Sequence, residues 1–141
     1  MPLIVIHLPE NTFSAEQKQR FAKQATDTLL ALEGMSGHPK AQNLSWVQFC
    51  EFKRDDFYMA GHKVDKPHYR LDISIFQGTM AGDKKEQLTE QLTDLILQVE
   101  ETDHNLLNAA RVWVMINEVP DGNWGGAGKI YRIQDLMKMM R

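Results

Sequence analysis

Two periods alternate along this chain. Leu3-Ile4-Val5-Ile6-His7-Leu8 is a short run rich in β-branched residues, and Leu71-Asp72-Ile73-Ser74-Ile75-Phe76 alternates apolar with polar; both predict strands. After the first run the period lengthens. Phe21, Ala25, Leu29 and Leu32 recur at steps of four, four and three, which is one face of a helix. Ser14-Ala15-Glu16-Gln17 ahead of them has the form of a capping box, and Gly34 behind them is a left-handed terminator. A second stripe of Leu88, Leu92, Leu95, Ile96 and Val99 follows Asp83 and Glu86. Residues 44–50 and 111–116 read as closing strands, the second continuously apolar over 112–116 and therefore expected to be buried.

Each half thus reads strand, helix, strand, and the halves also match residue for residue. A shift of 67 lays residues 2–61 on 69–128 without a gap and makes 13 of the 60 pairs identical. Unrelated pairing would give roughly one in seventeen. The identities include Thr26-Asp27/Thr93-Asp94, Trp46-Val47/Trp113-Val114 and Ala60-Gly61/Ala127-Gly128. Two β-α-β units with right-handed crossovers predict an α+β fold: a four-stranded mixed sheet, both helices on one face, and a pseudo-twofold axis relating the halves. Residues 53–67, polar and ending in Pro67, hold the connection. The expectation is one domain over 1–141, with repeat 1 at 2–61 and repeat 2 at 69–128.

Composition narrows the function classes. At 141 residues the chain can bury about two thirds of its unfolded surface and needs no metal or disulfide staple. A net charge of −3 gives no general pull towards nucleic acid or an anionic membrane. No apolar run is long enough to span a bilayer, and Met1-Pro2-Leu3 does not open like a secretory signal. The lone Cys50 cannot pair within the chain, so the expected location is the reducing cytoplasm, with Cys50 a small buried residue of its strand.

Pro2 directly after Met1, a strand, and the helix start Asn11-Thr12-Phe13-Ser14-Ala15-Glu16-Gln17-Lys18 resemble the tautomerase superfamily, whose short β-α-β chains carry an amino-terminal proline. With the second helix start Thr79-Met80-Ala81-Gly82-Asp83-Lys84-Lys85 and the segment 117–128, the chain is most similar to fused members. These are the malonate semialdehyde decarboxylases, the cis-3-chloroacrylic acid dehalogenases and their relatives. The resemblance implies a catalytic Pro2, freed by removal of Met1, and no metal or organic cofactor. A secondary amine titrating near neutrality is a good base for a proton α to a carbonyl, and then a good acid. The repeat places Tyr69 opposite Pro2, so each chain carries one such amine.

The chain departs from the family where anions are held. The family's arginine positions fall at Thr12, Thr79, Trp46 and Trp113; residues 77–80 contain no basic residue; the decarboxylase's acidic residue falls near Asn43. A buried carboxylate needs a paired cation, so these departures count against dehalogenation and decarboxylation. The expected substrate is a small carbonyl compound, bound by Gln77, Thr79, Trp113, Asn117, Trp124 and Arg70. Arg70, Arg111, Lys129 and Arg132 are the cations near enough in sequence to be recruited, each otherwise a solvated surface charge. The alternative reading is a non-catalytic ligand-binding or structural trimer of the same fold.

Other motifs carry less. Gly125-Gly126-Ala127-Gly128-Lys129 lacks the glycine and the hydroxyl residue of a phosphate loop, because Asn123 and Ile130 stand there. His62, Asp65 and His68 fit no metal-ligand spacing, and Met137, Met139 and Met140 are expected to pack against the sheet or a neighbouring subunit. Two helices cover only one face of a four-stranded sheet, so the other face, with its apolar closing strand, predicts a homotrimer whose pocket is shared between neighbours.

Overall fold

The computed structural model describes residues 2–139; Met1, whose removal the proline chemistry requires, and Met140 lie outside the described residues. The elements in chain order are β1 (Leu3–Pro9), α1 (Ala15–Leu32), α2 (Pro39–Asn43), β2 (Trp46–Phe52), β3 (Tyr58–Met59), β4 (His62–Lys63), β5 (Tyr69–Phe76), α3 (Lys84–Glu100), α4 (Leu106–Ala109), β6 (Val112–Val119), β7 (Trp124–Gly126), β8 (Lys129–Tyr131) and α5 (Ile133–Met139). One four-stranded mixed sheet has the order β2-β1-β5-β6: β1 runs parallel to β2, β5 parallel to β6, and the two pairs meet antiparallel through β1 and β5.

The register obeys the pseudo-twofold. Leu3 faces Ser74 and His7 faces Arg70, and the 67-residue shift turns either pair into the other, so the axis passes between Val5 and Asp72. Leu3↔Trp46 likewise becomes Arg70↔Trp113. The hairpins β3–β4 and β7–β8 are also equivalent. Their turns, Ala60-Gly61 and Ala127-Gly128, have φ of 53° and 77° in one and 52° and 78° in the other, the left-handed region that glycine enters without a Cβ clash.

Helix α1 begins as its capping box predicts. The Ser14 hydroxyl accepts from the Gln17 N–H, and the Gln17 carboxamide accepts from the Ser14 N–H. It ends at Gly34, φ 76°, where the Gly34 N–H donates to the Ala31 carbonyl and the Met35 N–H to that of Leu30. Phe21, Ala25 and Leu29 from α1, with Leu88, Leu92 and Ile96 from α3, pack on Ile4, Ile6, Leu8, Leu71, Ile73 and Ile75 of the sheet.

The other sheet face is open, and three expectations are corrected. The strand over 112–116 is not buried throughout, because alternate residues emerge on that face: Trp113 is 67% exposed and Met115 49%. Trp46, its repeat partner, is 69% exposed, and Cys50 is half-buried on the open face rather than in the core. Arg111 is no surface charge. It is 5% exposed, gripped by both Glu100 oxygens (Nη1 to Oε2 at 2.8 Å), and donates to the Pro67 carbonyl at 2.6 Å. Among the described residues no helix is long and apolar enough to cross a membrane.

Candidate active site

Pro2 stands at the entrance to β1. Its carbonyl accepts the Trp46 N–H at 3.0 Å, which ties it to β2, and its ring is buried. The side chains of the open face follow in a row from that point: Trp46 on β2, Leu3 on β1, Ser74 on β5 and Asn117 on β6. Pro2, Leu3, Trp46 and Ser74 form one wall of a cavity of about 440 Å³. The end of β6 and the segment after it supply the rest, with Val119, Asn123, Trp124, residues 125–127 and Tyr131. Leu44, just before β2, completes the lining.

Two local features shape that part of the lining. Trp124 stacks on Phe76, ring centroids 4.8 Å apart, which fixes the indole in the cavity lining. Gly126 pairs with Lys129 in the hairpin, and the Tyr131 ring lies on its backbone so closely that a Cβ there would collide with it. A glycine at 126 is therefore what lets the tyrosine turn into the cavity.

The described lining carries no Asp, Glu, His, Lys or Arg. Its polar groups are neutral: the Ser74 hydroxyl, the Asn123 amide, the Tyr131 hydroxyl and peptide groups of 125–127. Such a lining can donate hydrogen bonds to a carbonyl or enolate oxygen but cannot neutralise a carboxylate.

The pseudo-equivalent end of the sheet is built from different residues. At the pseudo-equivalent end Tyr69 replaces Pro2, Arg70 replaces Leu3, and His7 replaces Ser74. Tyr58 and Met59 stand where Gly125 and Gly126 give room. That end is charged: His7 Nε2 lies 2.9 Å, and an Arg70 guanidinium nitrogen 3.3 Å, from Asp72 Oδ2.

Of the residues singled out from the sequence, the fold brings Pro2 and Trp124 together. Asn117 pairs with Ser74 on the neighbouring strand and is not itself part of the described lining. Gln77 is exposed beyond β5, its N–H given to the Val119 carbonyl. Thr79 turns back to donate to the Phe76 carbonyl at 2.9 Å and lines a different, smaller cavity. Arg70 and Trp113 pair across β5 and β6 at the far end of the open face. Four residue steps along β5 lead from Arg70 to Ser74, roughly 13 Å. Within one chain these four do not line the Pro2 cavity. Ser74 and Tyr131 do, and were missed; the antiparallel β1–β5 register that delivers Ser74 leaves no local motif, and Tyr131 lies beyond the repeat.

Residues 1–105 match the family model described as "Putative oxalocrotonate tautomerase enzyme". The chain belongs to the tautomerase superfamily. Solved tautomerase folds agree. A structure of Pt0534 inactivated by 2-oxo-3-pentynoate superposes with a TM-score of 0.76 at 18% identity, covering 95% of this chain and 98% of that one. A member of the cis-3-chloroacrylic acid dehalogenase family gives 0.75 at 18% identity, with 98% and 97% covered. A fused 4-OT described as a wild type asymmetric trimer gives 0.74 at 17% identity, with 95% and 98% covered. A comparison with curated proteins finds no match. The tautomerase fold, doubled within one chain, is that of 4-OT-like enzymes.

Proposed function

We propose that this tautomerase-superfamily chain is a cofactor-free keto–enol tautomerase of the cytoplasm, folded as one domain over 1–141 with repeats at 2–61 and 69–128. Pro2, with Met1 removed, is its general base and acid. The observation that carries this reading is the placement of the buried Pro2 at the wall of a neutral, aromatic-lined cavity. The amine takes a proton α to the substrate carbonyl, the oxygen accepts hydrogen bonds from Ser74, Asn123 or Tyr131, and the same amine returns the proton. Trp124 and Trp46 hold the apolar part of the substrate.

The neutral lining sets the expected selectivity. Met-free protein should turn over an uncharged enolisable ketone such as acetylacetone more efficiently than the dicarboxylate 2-hydroxymuconate, by about 10²-fold, since an unpaired buried charge costs several kcal/mol. Steady-state rates on the two compounds decide it. A preference for the dicarboxylate would place a cation in the pocket, and turnover of neither would favour a non-catalytic binding protein.

The open sheet face completes the proposal. Three similar structures are described as trimers. Trp46, Trp113 and Met115 leave an apolar surface that a monomer would expose to water. A homotrimer covers it, and its head-to-tail contacts can bring the far end of one chain, with Trp113, to the Pro2 cavity of the next, while Arg70 stays with Asp72. Sedimentation equilibrium at micromolar concentration should give three times 16.2 kDa; a stable monomer would overturn both the assembly and the shared pocket.

A further inference from the structure

Tyr131 lies beyond the repeat and beyond the residues that match the family model, yet it lines the Pro2 cavity. It is the register partner of Trp124 in the β7–β8 hairpin, so the two rings stand side by side on one face. Each is backed by protein. Trp124 lies on Phe76, and the Tyr131 ring lies on the bare backbone at Gly126, where a Cβ would come within 2.3 Å of its Cε2. The chain that follows is fastened to the segment before the hairpin. Arg132 sits over Gly122, the Ile133 N–H donates to Asp121 Oδ1 at 3.1 Å, and Leu136 is buried. The tyrosine is a seated wall of the cavity.

In the other half of the chain the seat and the ring are both missing. At the 67-residue shift Met59 stands in the place of Gly126, and Val64 in that of Tyr131. Phe57, the counterpart of Trp124, stacks on Phe52 and His68 and has no tyrosine beside it at the equivalent place. Two rings side by side, one of them resting on a glycine, are thus a feature of the Pro2 end.

We propose that Tyr131 is a specificity-determining residue: its ring, with Trp124 beside it, is the platform for a flat aromatic group, and the substrate class is an uncharged enolisable ketone that carries an aryl group. The choice of an enolisable ketone rests on the function proposed above; the platform itself does not. The volume agrees. A cavity of about 440 Å³ falls in the range that holds drug-sized ligands, which is more than acetylacetone fills. The lining agrees as well. Trp46, Trp124 and Tyr131 offer aromatic surface, and Ser74 and Asn123 are left for the carbonyl oxygen. The described lining has no charged side chain to hold a carboxylate, which sets this class apart from aryl keto acids.

The test compares 1-phenylbutane-1,3-dione with acetylacetone on Met-free protein, through dissociation constants from NMR titration and through turnover. The parent should prefer the phenyl compound in binding. Tyr131→Leu keeps apolar bulk without an aromatic face and should lower that preference by about fivefold to tenfold. Tyr131→Phe should keep it. Gly126→Ala unseats the ring, so it should act as Tyr131→Leu does and add nothing to that substitution in the double variant; the NMR spectra report whether each variant is folded. A preference that survives Tyr131→Leu, or that Tyr131→Phe loses to the same extent, overturns the proposal, and so does a Gly126→Ala effect that persists without the tyrosine. Binding in the expected pattern with turnover of neither ketone would sink the proposed function and leave the platform standing. Turnover of both ketones with no preference between them would do the reverse.

Discussion

Replacing Pro2 by alanine should lower kcat/KM for acetylacetone by about 10²-fold or more, the usual span of a general acid–base contribution. Alanine still offers a primary amine, so the loss measures what the ring provides. The ring is buried beside Leu3 and Trp46, and its closure fixes the direction of the nitrogen lone pair, which a rotating primary amine does not. A companion chain with one extra residue before Pro2 makes the sharper comparison. There the nitrogen becomes an amide, has no basicity, and should be silent, while the strand pairing of Leu3 with Trp46 and Ser74 stays available. Rates equal to those of the parent in both proteins would remove Pro2 from the chemistry.

The second large effect concerns stability. Glu100→Ala should cost about 3–5 kcal/mol, read from urea unfolding at fixed protomer concentration, because it leaves a buried guanidinium without its anion. Arg111 is 5% exposed and its Nε already has no partner among the described residues, so the substitution is not repaired by a small rotation towards water. The surface pair Lys23–Asp27 on α1, at 3.0 Å, sets the contrast: breaking it should change stability by only about 0.3–0.5 kcal/mol. Acidity should act on the same cluster. Burial raises the Glu100 carboxyl, but Arg111, Tyr69 and Thr102 outweigh it and hold the group below its ordinary value of 4.5. Its contribution is therefore complete above that value and is lost as pH falls through the lower folded one. Tyr69 is shifted the other way, by burial first and by Glu100 next, from an ordinary 10.0. That part is present below 10.0 and is lost as pH rises through the higher folded value. A loss below 1 kcal/mol for Glu100→Ala would show that the guanidinium finds water.

What the sequence disclosed follows from the range of the forces involved. The capping box of Ser14 and Gln17, the stop at Gly34 and the apolar stripes are set by neighbours within a turn or two, so the principal strands and the two long helices could be read directly. The 67-residue match added the symmetry. The short helices α2 and α4 and both hairpins went unread, since four or five residues carry too few periods to show one. Arg111 was misjudged for another reason: an arginine is usually solvated, and only the fold brings Glu100 within reach. The site divides likewise. Pro2 and Trp124 have local signatures. Ser74 enters through the pairing of β1 with β5, and Tyr131 through the absence of a side chain at Gly126.

The two hairpins have a consequence for how this chain could change over time. In an assembly of identical single β-α-β units, a substitution that fills one cavity fills them all, and selection for turnover forbids it. Once two units share a chain, each position is inherited separately. Tyr58 and Met59 could close one end while Gly125 and Gly126 kept the other open, and the Ala-Gly turn that folds both hairpins was retained throughout. Two units in one chain thus leave the end around His7, Arg70 and Asp72 free to vary without altering the lining of the Pro2 cavity.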